Sequence, residues 1–424
     1  MQSSIFVAVP TPIRLKQVIN SLGPGIMMAT AAVGGSHLVS STKAGAIYGW
    51  QLAALILLVN LLKYPFFRAS VQYTMGTSNS LIHGYAQMGN SYLYLFTLLC
   101  TISAVVNTAT LAVFSASLLL YFLPFELPLS IISGMIFGVC LVALLRGRYN
   151  VLSGISKIIM LALVISLIFA VMISMGKNHS VPFNFVAPSA WNVAAIGFIV
   201  ITMGWMPAPI EISSLSSLWL KRQQREQKVT NKSALFDFNV GYIITALLAI
   251  AFVALGSIVL HGHSKNIEAT SIAFSHQLIS IYSYLIGDWS RYLIALIGFL
   301  CIFGSTITVI DGYSRALAEA KTKIQNINTH HEADHHRTML WLCLSSLIVI
   351  TFWSSSLMTM LNLAMILSFM TTPIFALLNY KLVVKTRLPK ELEFTTRMKA
   401  LSWVGLFYLF GFMAFFIYWN WFMS

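Results

Sequence analysis

Four side chains that can bind a proton or a cation lie within long apolar stretches of this sequence: His37, Met206, Glu211 and Asp311. A carboxylate in a lipid-embedded helix costs roughly 3 kcal/mol on insertion scales, so one that occurs there usually has a function or a partner. An imidazole titrates near neutral pH and binds metals, and a thioether sulfur is a soft metal ligand. The chemistry open to these residues is proton exchange and cation binding.

The first of them follows a sequence that interrupts a helix. The apolar stretch 23–50 contains Gly34, Gly35 and Ser36 directly before His37. Adjacent glycines favour unwinding, because glycine has the largest entropic cost in a helix and tolerates positive φ. Backbone freed at membrane depth must line a cavity enclosed by protein, since lipid offers no hydrogen-bond partners. We therefore expect these four residues to line such a cavity.

A second interruption lies in the other half of the chain, at Pro207 and Pro209. Both prolines lack an N–H, and their rings clash with the preceding turn. They leave Met206 and the carbonyl of Met203 beside the break. They also put Glu211 at the start of the following half-helix, where the macrodipole stabilises a negative charge. Two interrupted segments in corresponding positions of two halves are the sequence pattern of a transporter's substrate site.

Each ionisable residue also has a structural interpretation. Glu211 could cap freed N–H groups or pair with a neighbour, and a lone histidine such as His37 is often a packing residue. Asp311 and Arg315 are four residues apart and can form an ion pair on one helix face. Asp237 could cap the helix that it begins. A role in ion coupling stays open for Glu211, His37 and Asp311.

The composition is that of a polytopic membrane protein. The 424 residues are 58% hydrophobic and 9% charged, with a mean hydropathy of +0.79, values that soluble domains of this size do not show. We expect an all-α bundle of about eleven transmembrane helices, of which the first and sixth are discontinuous. The apolar stretches long enough to span are 20–47, 50–73, 92–122, 127–145, 153–175, 191–219, 238–260, 288–318, 338–356, 359–384 and 401–421.

The distribution of basic residues predicts the orientation. With the N-terminus in the cytoplasm, inner loops receive Lys63, Arg68 and the basic runs within 221–232 and 381–399. This asymmetry agrees with the positive-inside rule and explains the net charge of +14 without a nucleic-acid partner. The prediction is an inner (plasma) membrane protein with its C-terminus outside. The outer segments keep only Lys43, Lys177, Lys265 and Arg291.

Other classes of protein lack their sequence signals here. The chain has no Ser-His-Asp or metal-hydrolase motif, so we expect neither an enzyme nor a cofactor. It has no signalling domain and no ATP-binding motif, so an ion gradient would drive transport. The four cysteines lie within spans without a CxxC pair, as packing residues do. The loop His330–His336 has four histidines and two carboxylates, which could bind a transition metal or form a solvated linker.

Several motifs together resemble those of the NRAMP-type divalent metal transporters. They are Gly23-Pro24-Gly25, Ala44-Gly45-Ala46 with Gly49, and Met206-Pro207. The resemblance covers most of the chain and implies a LeuT-like inverted repeat of five plus five helices with one extra helix. A single domain over residues 1–424 would then contain one repeat at about 20–175, a second at about 191–384 and the extra helix at about 401–421.

The chain departs from this family at both breaks. Counting from the flanking motifs puts the family's DPGN motif, whose Asp and Asn bind the metal, on Gly34 to His37, so Gly34 stands at the position of the Asp. The family's MPHN motif retains its ligand methionine here but has Ala208 at the histidine of the proton pathway. Divalent ions need strong oxygen or nitrogen donors to offset their dehydration. The motif reads Met206-Pro207-Ala208-Pro209 in this sequence.

The resemblance implies an importer that works by alternating access, with a divalent metal cation as the expected substrate and a proton or sodium gradient as the driving force. His37, Met206 and Glu211 would supply metal ligands, and Glu211, His37 and Asp311 would couple the ion. The alternative is an importer of a small organic solute such as a carboxylate, bound by half-helix N–H groups. The expected substrate site comprises Gly34, Gly35, Ser36, His37, Met203, Met206, Pro207 and Glu211.

Overall fold

The structure, a computed structural model, describes most of the chain. Its secondary structure within the described residues is helical and includes no strand. The predicted all-α class is therefore confirmed. The described residues are 22–124, 127–146, 149–176, 185–262, 273, 276, 277, 279, 280, 283, 287–327, 332–353 and 357–422.

Fourteen α-helices make up most of the described part of the bundle, together with one π-helical segment, Ser36–Ser41, and four short 3₁₀ turns. In chain order they are α1 Pro24–Ala32, α2 Thr42–Tyr48, α3 Ala53–Thr77, α4 Leu81–Met88, α5 Asn90–Leu119, α6 Leu129–Arg146, α7 Tyr149–Met175, α8 Ile196–Trp205, α9 Ile212–Glu226, α10 Asn231–Val259, α11 Arg291–Ile324, α12 Glu332–Trp353, α13 Leu357–Lys385 and α14 Thr396–Phe422.

Nine helices of the described residues are long and apolar enough to cross a membrane: α3, α5, α6, α7, α10, α11, α12, α13 and α14. They match nine of the eleven predicted spans. The other two predicted spans, 20–47 and 191–219, are the two that the structure divides, into α1 with α2 and α8 with α9. Eleven crossings and the inverted repeat stay predictions.

The helices differ in how much of their surface the bundle covers. The most apolar parts of α3, α5 and α13 are 61% buried, whereas those of α6, α12 and α14 are only 28% buried. Exposed Ile, Leu, Phe and Trp side chains on such outer helices suit contact with lipid chains, which present no hydrogen-bond partners. The less covered helices therefore form the rim, and the divided helices lie inside it.

Close glycine contacts hold α10 against the first divided helix. A Cβ added to Gly45 in α2 would lie 2.1 Å from the carbonyl oxygen of Val253, and one added to Gly256 would lie 2.1 Å from that of Thr42. No real Cβ approaches an oxygen so closely, so any larger residue would force the helices apart. Small residues at such crossings let helix backbones pack directly in a membrane.

Asp237 fixes the other end of this contact. Its carboxylate accepts hydrogen bonds from the N–H groups of Gly23 at 3.0 Å and Gly25 at 2.7 Å, at the N-terminus of α1. The hypothesis that Asp237 caps its own helix is wrong, because the Thr230 side chain caps α10 by accepting from the N–H of Ser233. Asp237 instead caps a helix more than two hundred positions away.

Replacing Asp237 by Ala is expected to lower the free energy of unfolding by about 2 kcal/mol, because two buried N–H groups lose their acceptor. Thermal unfolding of the detergent-purified variant measures this effect. Asp334→Ala is the control, since Asp334 forms only a partly exposed ion pair with Lys321 at 3.5 Å and a helix-dipole interaction at the start of α12, together worth about 1 kcal/mol or less. Equal stability of the two variants would contradict the capping role.

Candidate functional site

The first break is short. α1 ends at Ala32, Val33 leaves helical geometry with φ −81° and ψ 80°, and the π-helical segment starts at Ser36. Gly35 has right-handed helical angles of −56° and −32°, so the sequence argument from positive φ does not apply to it. Its lack of a side chain matters for space: a Cβ at Gly35 would lie 2.7 Å from Leu361 Cδ2. The break at the glycines is confirmed, and the constraint observed at Gly35 is the space for a side chain rather than an unusual φ.

The carbonyls freed at this break have a partner. The hydroxyl of Ser305 in α11 lies 2.7 Å from the Thr30 oxygen and 3.2 Å from the Val33 oxygen, and the Cys301 thiol lies 3.3 Å from the same Val33 oxygen. The backbone that leaves the helix is thereby satisfied by a neighbouring helix, as buried carbonyls require.

The second break is longer and includes six residues, Met206 to Glu211, between α8 and α9. Met206 is extended, with φ −88° and ψ 124°, and Pro207 and Pro209 prevent the helix from continuing. The indole N–H of Trp205 donates to the Ser368 hydroxyl at 2.8 Å and anchors the end of α8 to α13. The second predicted interruption is confirmed.

The two breaks share a small cavity. Gly34 and Gly35 of the first break, Pro209 of the second and Trp205 at the end of α8 line a space of about 20 Å³. A space of this size holds about one water molecule or a bare ion. Its polar lining comes from Asn107 in α5 and Tyr313 in α11, whose side chains are hydrogen-bonded to each other.

Glu211 is connected to this cavity through Tyr313. The Tyr313 hydroxyl lies 3.4 Å from Glu211 Oε1, and the amide of Asn107 donates to the Tyr313 oxygen at 3.0 Å. Glu211 is fully buried, and its Oε2 and the Asn107 Oδ1 have no hydrogen-bond partner among the described residues. A buried carboxylate oxygen without a partner is expensive. The position suits a group that receives a proton or a cation.

His37 packs the first divided helix against α10. Its Nε2 donates to the Thr245 carbonyl at 3.0 Å, and its Nδ1 lies 2.8 Å from the Ser36 hydroxyl. Because both ring nitrogens have partners, a metal would have to displace one of them. Met206 is also buried, and its sulfur lies 4.0 Å from the Ser41 hydroxyl. The metal-ligand roles of His37 and Met206 stay predictions.

Lys63 occupies an unexpected place. The sequence argument assigned it to a cytoplasmic loop, and this is wrong: α3 continues past it, and its side chain is 1% exposed. Its ammonium donates to the carbonyl of Met203 at 2.8 Å and to that of Gly204 at 3.2 Å. The Met203 carbonyl, expected to be free for a substrate ion, therefore already has a cationic partner.

Asp311 has the partner that its spacing indicated. The Arg315 Nη2 lies 2.8 Å from Asp311 Oδ1, and the indole of Trp219 in α9 donates to Oδ2 at 3.0 Å. The ring of His335 in α12 lies 3.9 Å from Oδ1. The ion-pair interpretation is confirmed, and the coupling role of Asp311 stays a prediction. This cluster ties α9 to α11 and α12.

A double-mutant cycle on Asp311 and Arg315 is expected to give a coupling free energy of about 2 kcal/mol, because the carboxylate is buried and hydrogen-bonded on both oxygens. The pair Arg222–Glu226 is the control, with the same spacing but side chains 31% and 32% exposed. That pair should give about 0.4 kcal/mol. Thermal unfolding of the single and double variants measures both, and equal couplings would contradict the argument.

A second contact fastens the C-terminal half of α9. Lys221 lies 3.4 Å from the Glu319 carboxylate of α11, which also accepts from the Ser80 hydroxyl at 2.5 Å. Ser80 caps α4 by accepting from the N–H of His83. Burial lowers the pKa of His83, and the positive charge of Lys323 lowers it further. The half-helix after the second break is thus held along its length.

In its described part, residues 332–336, the histidine-rich segment is the start of a helix rather than a loop. His330 and His331 lie outside the described residues, and α12 begins at Glu332, with Glu332 and Asp334 in its first turn, where acidic residues suit the helix dipole. His335 points at Ser314 Oγ, 2.9 Å away. Within the described ranges, no group of three or more His, Cys, Asp or Glu side chains could hold a metal.

Sequence reasoning missed the roles of Lys63, Tyr313 and Ser305. For Lys63 a signal existed, because apolar residues continue on both sides of it. Tyr313 follows Asp311 by two positions, and its hydroxyl could have been counted among the polar groups of the span. The Ser305 contact joins helices that are far apart in the chain. Sequence spacing alone does not reveal such a contact.

Comparisons with known proteins agree with this architecture. Residues 25–418 match the family described as Natural resistance-associated macrophage protein-like, or Nramp. An uncharacterized protein of Pasteurella multocida (strain Pm70) is 45% identical over 400 residues, which are 94% of this chain and 92% of that protein.

Similar solved structures share the fold at low sequence identity. Two variants of the manganese transporter of Eremococcus coleocola have TM-scores of 0.69 and 0.70, with 12% identity over 96% of this chain and 87% of theirs. The same transporter in complex with an aromatic bis-isothiourea substituted compound has a TM-score of 0.68, with 12% identity over the same shares of the two chains. With its apolar helices and its match over nearly the whole sequence, this chain belongs to the Nramp family of integral membrane proteins.

Proposed function

We propose that this protein is a secondary active transporter that imports a divalent metal cation through the cavity between its two broken helices. Family membership supports a transporter, and the manganese transporters of the same fold support a metal cargo. The observation that carries the proposal is the cavity of about 20 Å³ that residues of both breaks line. A bare cation fits such a space, whereas a carboxylic acid with several heavy atoms needs more than the volume of one water molecule.

The donors available to a metal differ from those of the family pattern. Gly34 provides no carboxylate, so Glu211 would supply the negative charge, from the N-terminal end of α9 rather than from the first helix. Met206 does not line the cavity in this structure. After turning toward it, its thioether would add a soft sulfur ligand, which suits late transition ions better than Mn²⁺. Asn107 Oδ1 has no partner among the described residues and would add a neutral oxygen.

We place the coupling step at Glu211. The cation would bind the ionised carboxylate, and a proton from outside would displace it toward the inside, so that cation and proton move inward together. Tyr313 and Asn107 would transmit the change to the cavity, since each lies within hydrogen-bond reach of the next group. His37 and Asp311 are secondary candidates, because both already have close partners. Sodium is the other coupling ion to be tested.

Alternating access would then require α9 to move. The Trp219–Asp311 and Lys221–Glu319 contacts hold α9 to α11 in this structure, and we propose that they break when the inner side opens. The domain proposal stays as stated: one transporter domain over 1–424, repeats at about 20–175 and 191–384, and an extra helix at about 401–421. The N-terminus would be cytoplasmic, in an inner (plasma) membrane.

The second candidate is an ion-coupled importer of a small organic solute such as a carboxylate. Two observations favour it. The first break has Gly34 where a carboxylate is expected, and the Met203 carbonyl already accepts a hydrogen bond from the Lys63 ammonium. An anionic solute could then bind the N–H groups of the half-helix that follows the first break, where no carboxylate competes. This candidate needs a more open cavity than the structure has.

Isothermal titration separates the two candidates. With Mn²⁺, we expect saturable heat in the wild-type protein and an affinity at least about tenfold lower in Met206→Ala, since one inner-sphere ligand is lost. The control is Met172→Ala, because Met172 is 67% exposed on α7. Heat from a small carboxylic acid, with none from Mn²⁺, would instead assign the organic cargo.

A further inference from the structure

The Lys63 ammonium lies where the second break leaves carbonyls free. α8 ends at Trp205, so the carbonyls of its last turn lack partners within the helix. The ammonium nitrogen lies 2.8 Å from the Met203 oxygen and 3.2 Å from the Gly204 oxygen. These oxygens also form the negative end of the helix dipole. A positive charge at this point is favourable, and here a side chain provides it.

The burial of Lys63 makes this placement unusual. The side chain is 1% exposed, and its ammonium forms no ion pair with a carboxylate among the described residues. An ordinary surface lysine extends to water at a helix end, whereas Lys63 extends from α3 to the buried C-terminal end of α8, next to the second break.

Unwound carbonyls and half-helix C-terminal ends are the groups that bind a monovalent cation in carriers with broken helices. An ammonium at 2.8 to 3.2 Å from two such oxygens satisfies them with one positive charge. We propose that Lys63 is a tethered cation that fills a monovalent-cation site at the end of α8. A free Na⁺ or K⁺ ion is thereby kept out of the second break.

This inference deepens the proposed function, because it assigns the specificity for the coupling ion. With the carbonyl site filled by a permanent side chain, sodium has no place at the second break, and the proton at Glu211 remains the coupling ion. The same chemistry predicts which substitution of Lys63 would open the carbonyl site to Na⁺ or K⁺. Removing the ammonium while keeping the length of the side chain would leave two carbonyls open to a cation of the same charge.

The test compares thermal unfolding of detergent-purified wild type and Lys63→Met in choline, sodium and potassium chloride at equal ionic strength. We expect the wild-type Tm to be the same in all three salts. Lys63→Met should unfold at least about 3 °C lower in choline and recover saturably as Na⁺ or K⁺ is added. A Lys63→Met Tm that does not depend on the cation would overturn the proposal.

Lys63→Gln separates the effect of the charge from that of the hydrogen bond. If the methionine variant does not fold, the same measurements on Lys63→Gln test the proposal. The glutamine amide can donate to a carbonyl but has no charge, so we expect a lower Tm in choline and recovery in Na⁺ or K⁺. A glutamine variant with wild-type Tm in every salt would identify Lys63 as an ordinary helix cap and overturn the tethered-cation role.

Lys43→Met is the matched control. The Lys43 ammonium contacts the Met358 sulfur at 3.3 Å rather than backbone carbonyls, so this variant should show no specific response to Na⁺ or K⁺. The same response in Lys43→Met would show a general salt effect and overturn the site assignment. All these readouts measure binding and folding without transport, so a failed metal-uptake assay would reject the proposed cargo while leaving this result intact.

Discussion

Replacing Glu211 by Gln is expected to lower substrate uptake at least about tenfold while the protein remains folded. Proton exchange by a positioned side chain commonly contributes two orders of magnitude or more, and glutamine can neither exchange a proton nor supply charge to a cation. The substitution keeps the size of the side chain and an oxygen that accepts from Tyr313, 3.4 Å away. The structure around the second break should therefore persist.

The dependence of uptake on the outer pH shows whether the proton moves in the same direction as the substrate. If a proton enters with the substrate, uptake by the wild type should rise as the outer pH falls, and uptake by Glu211→Gln should be low at every pH. Proteoliposomes with an imposed pH gradient measure both. The control is Glu226→Gln, the same substitution at the exposed far end of α9, which should transport normally. Normal transport by Glu211→Gln with unchanged pH dependence would contradict the coupling role.

Replacing Gly45 by Ala is expected to destabilise the protein by about 3 kcal/mol or more. The added Cβ would lie 2.1 Å from the Val253 carbonyl oxygen and 2.7 Å from the Ser257 nitrogen. Both are backbone atoms of α10, so neither can rotate away, and α2 and α10 must separate. Overpacking costs about 1–3 kcal/mol even where side chains can adjust, and here the clash is between backbones.

Size-exclusion profiles and thermal unfolding after detergent extraction measure this loss. Gly138→Ala is the control, because a Cβ at Gly138 in α6 would meet nothing within 4 Å. Alanine at that helical position should leave stability unchanged or raise it by up to about 1 kcal/mol. Equal behaviour of the two variants would show that the glycine contact does not hold α2 against α10.

The sequence was sufficient for features that depend on local composition. Hydropathy located the nine long helices, with ends that differ from the observed ones by up to seven residues, and glycine and proline located both breaks, since these residues act on the backbone where they stand. The spacing of Asp311 and Arg315 predicted their ion pair for the same reason. Such features need no knowledge of what lies across the bundle.

Contacts between distant segments were beyond sequence reasoning. Lys63 was assigned to a loop because a charge normally ends an apolar span, and only the fold brings the end of α8 within reach of its ammonium. Asp237 was interpreted as a local cap because its partners, Gly23 and Gly25, precede it by more than two hundred positions. At Gly35 the sequence argument from positive φ was wrong, because its backbone is right-handed helical and the observed constraint is the space taken by Leu361.

Uptake of Mn²⁺ into proteoliposomes is the most direct test of the central claim, that the cavity between the two breaks carries a metal cation. We predict saturable Mn²⁺ accumulation by the wild type, faster with an acidic outside and lost in Glu211→Gln. Folded wild-type protein that moves no Mn²⁺ under any proton or sodium gradient, but accumulates a small carboxylate, would contradict the claim.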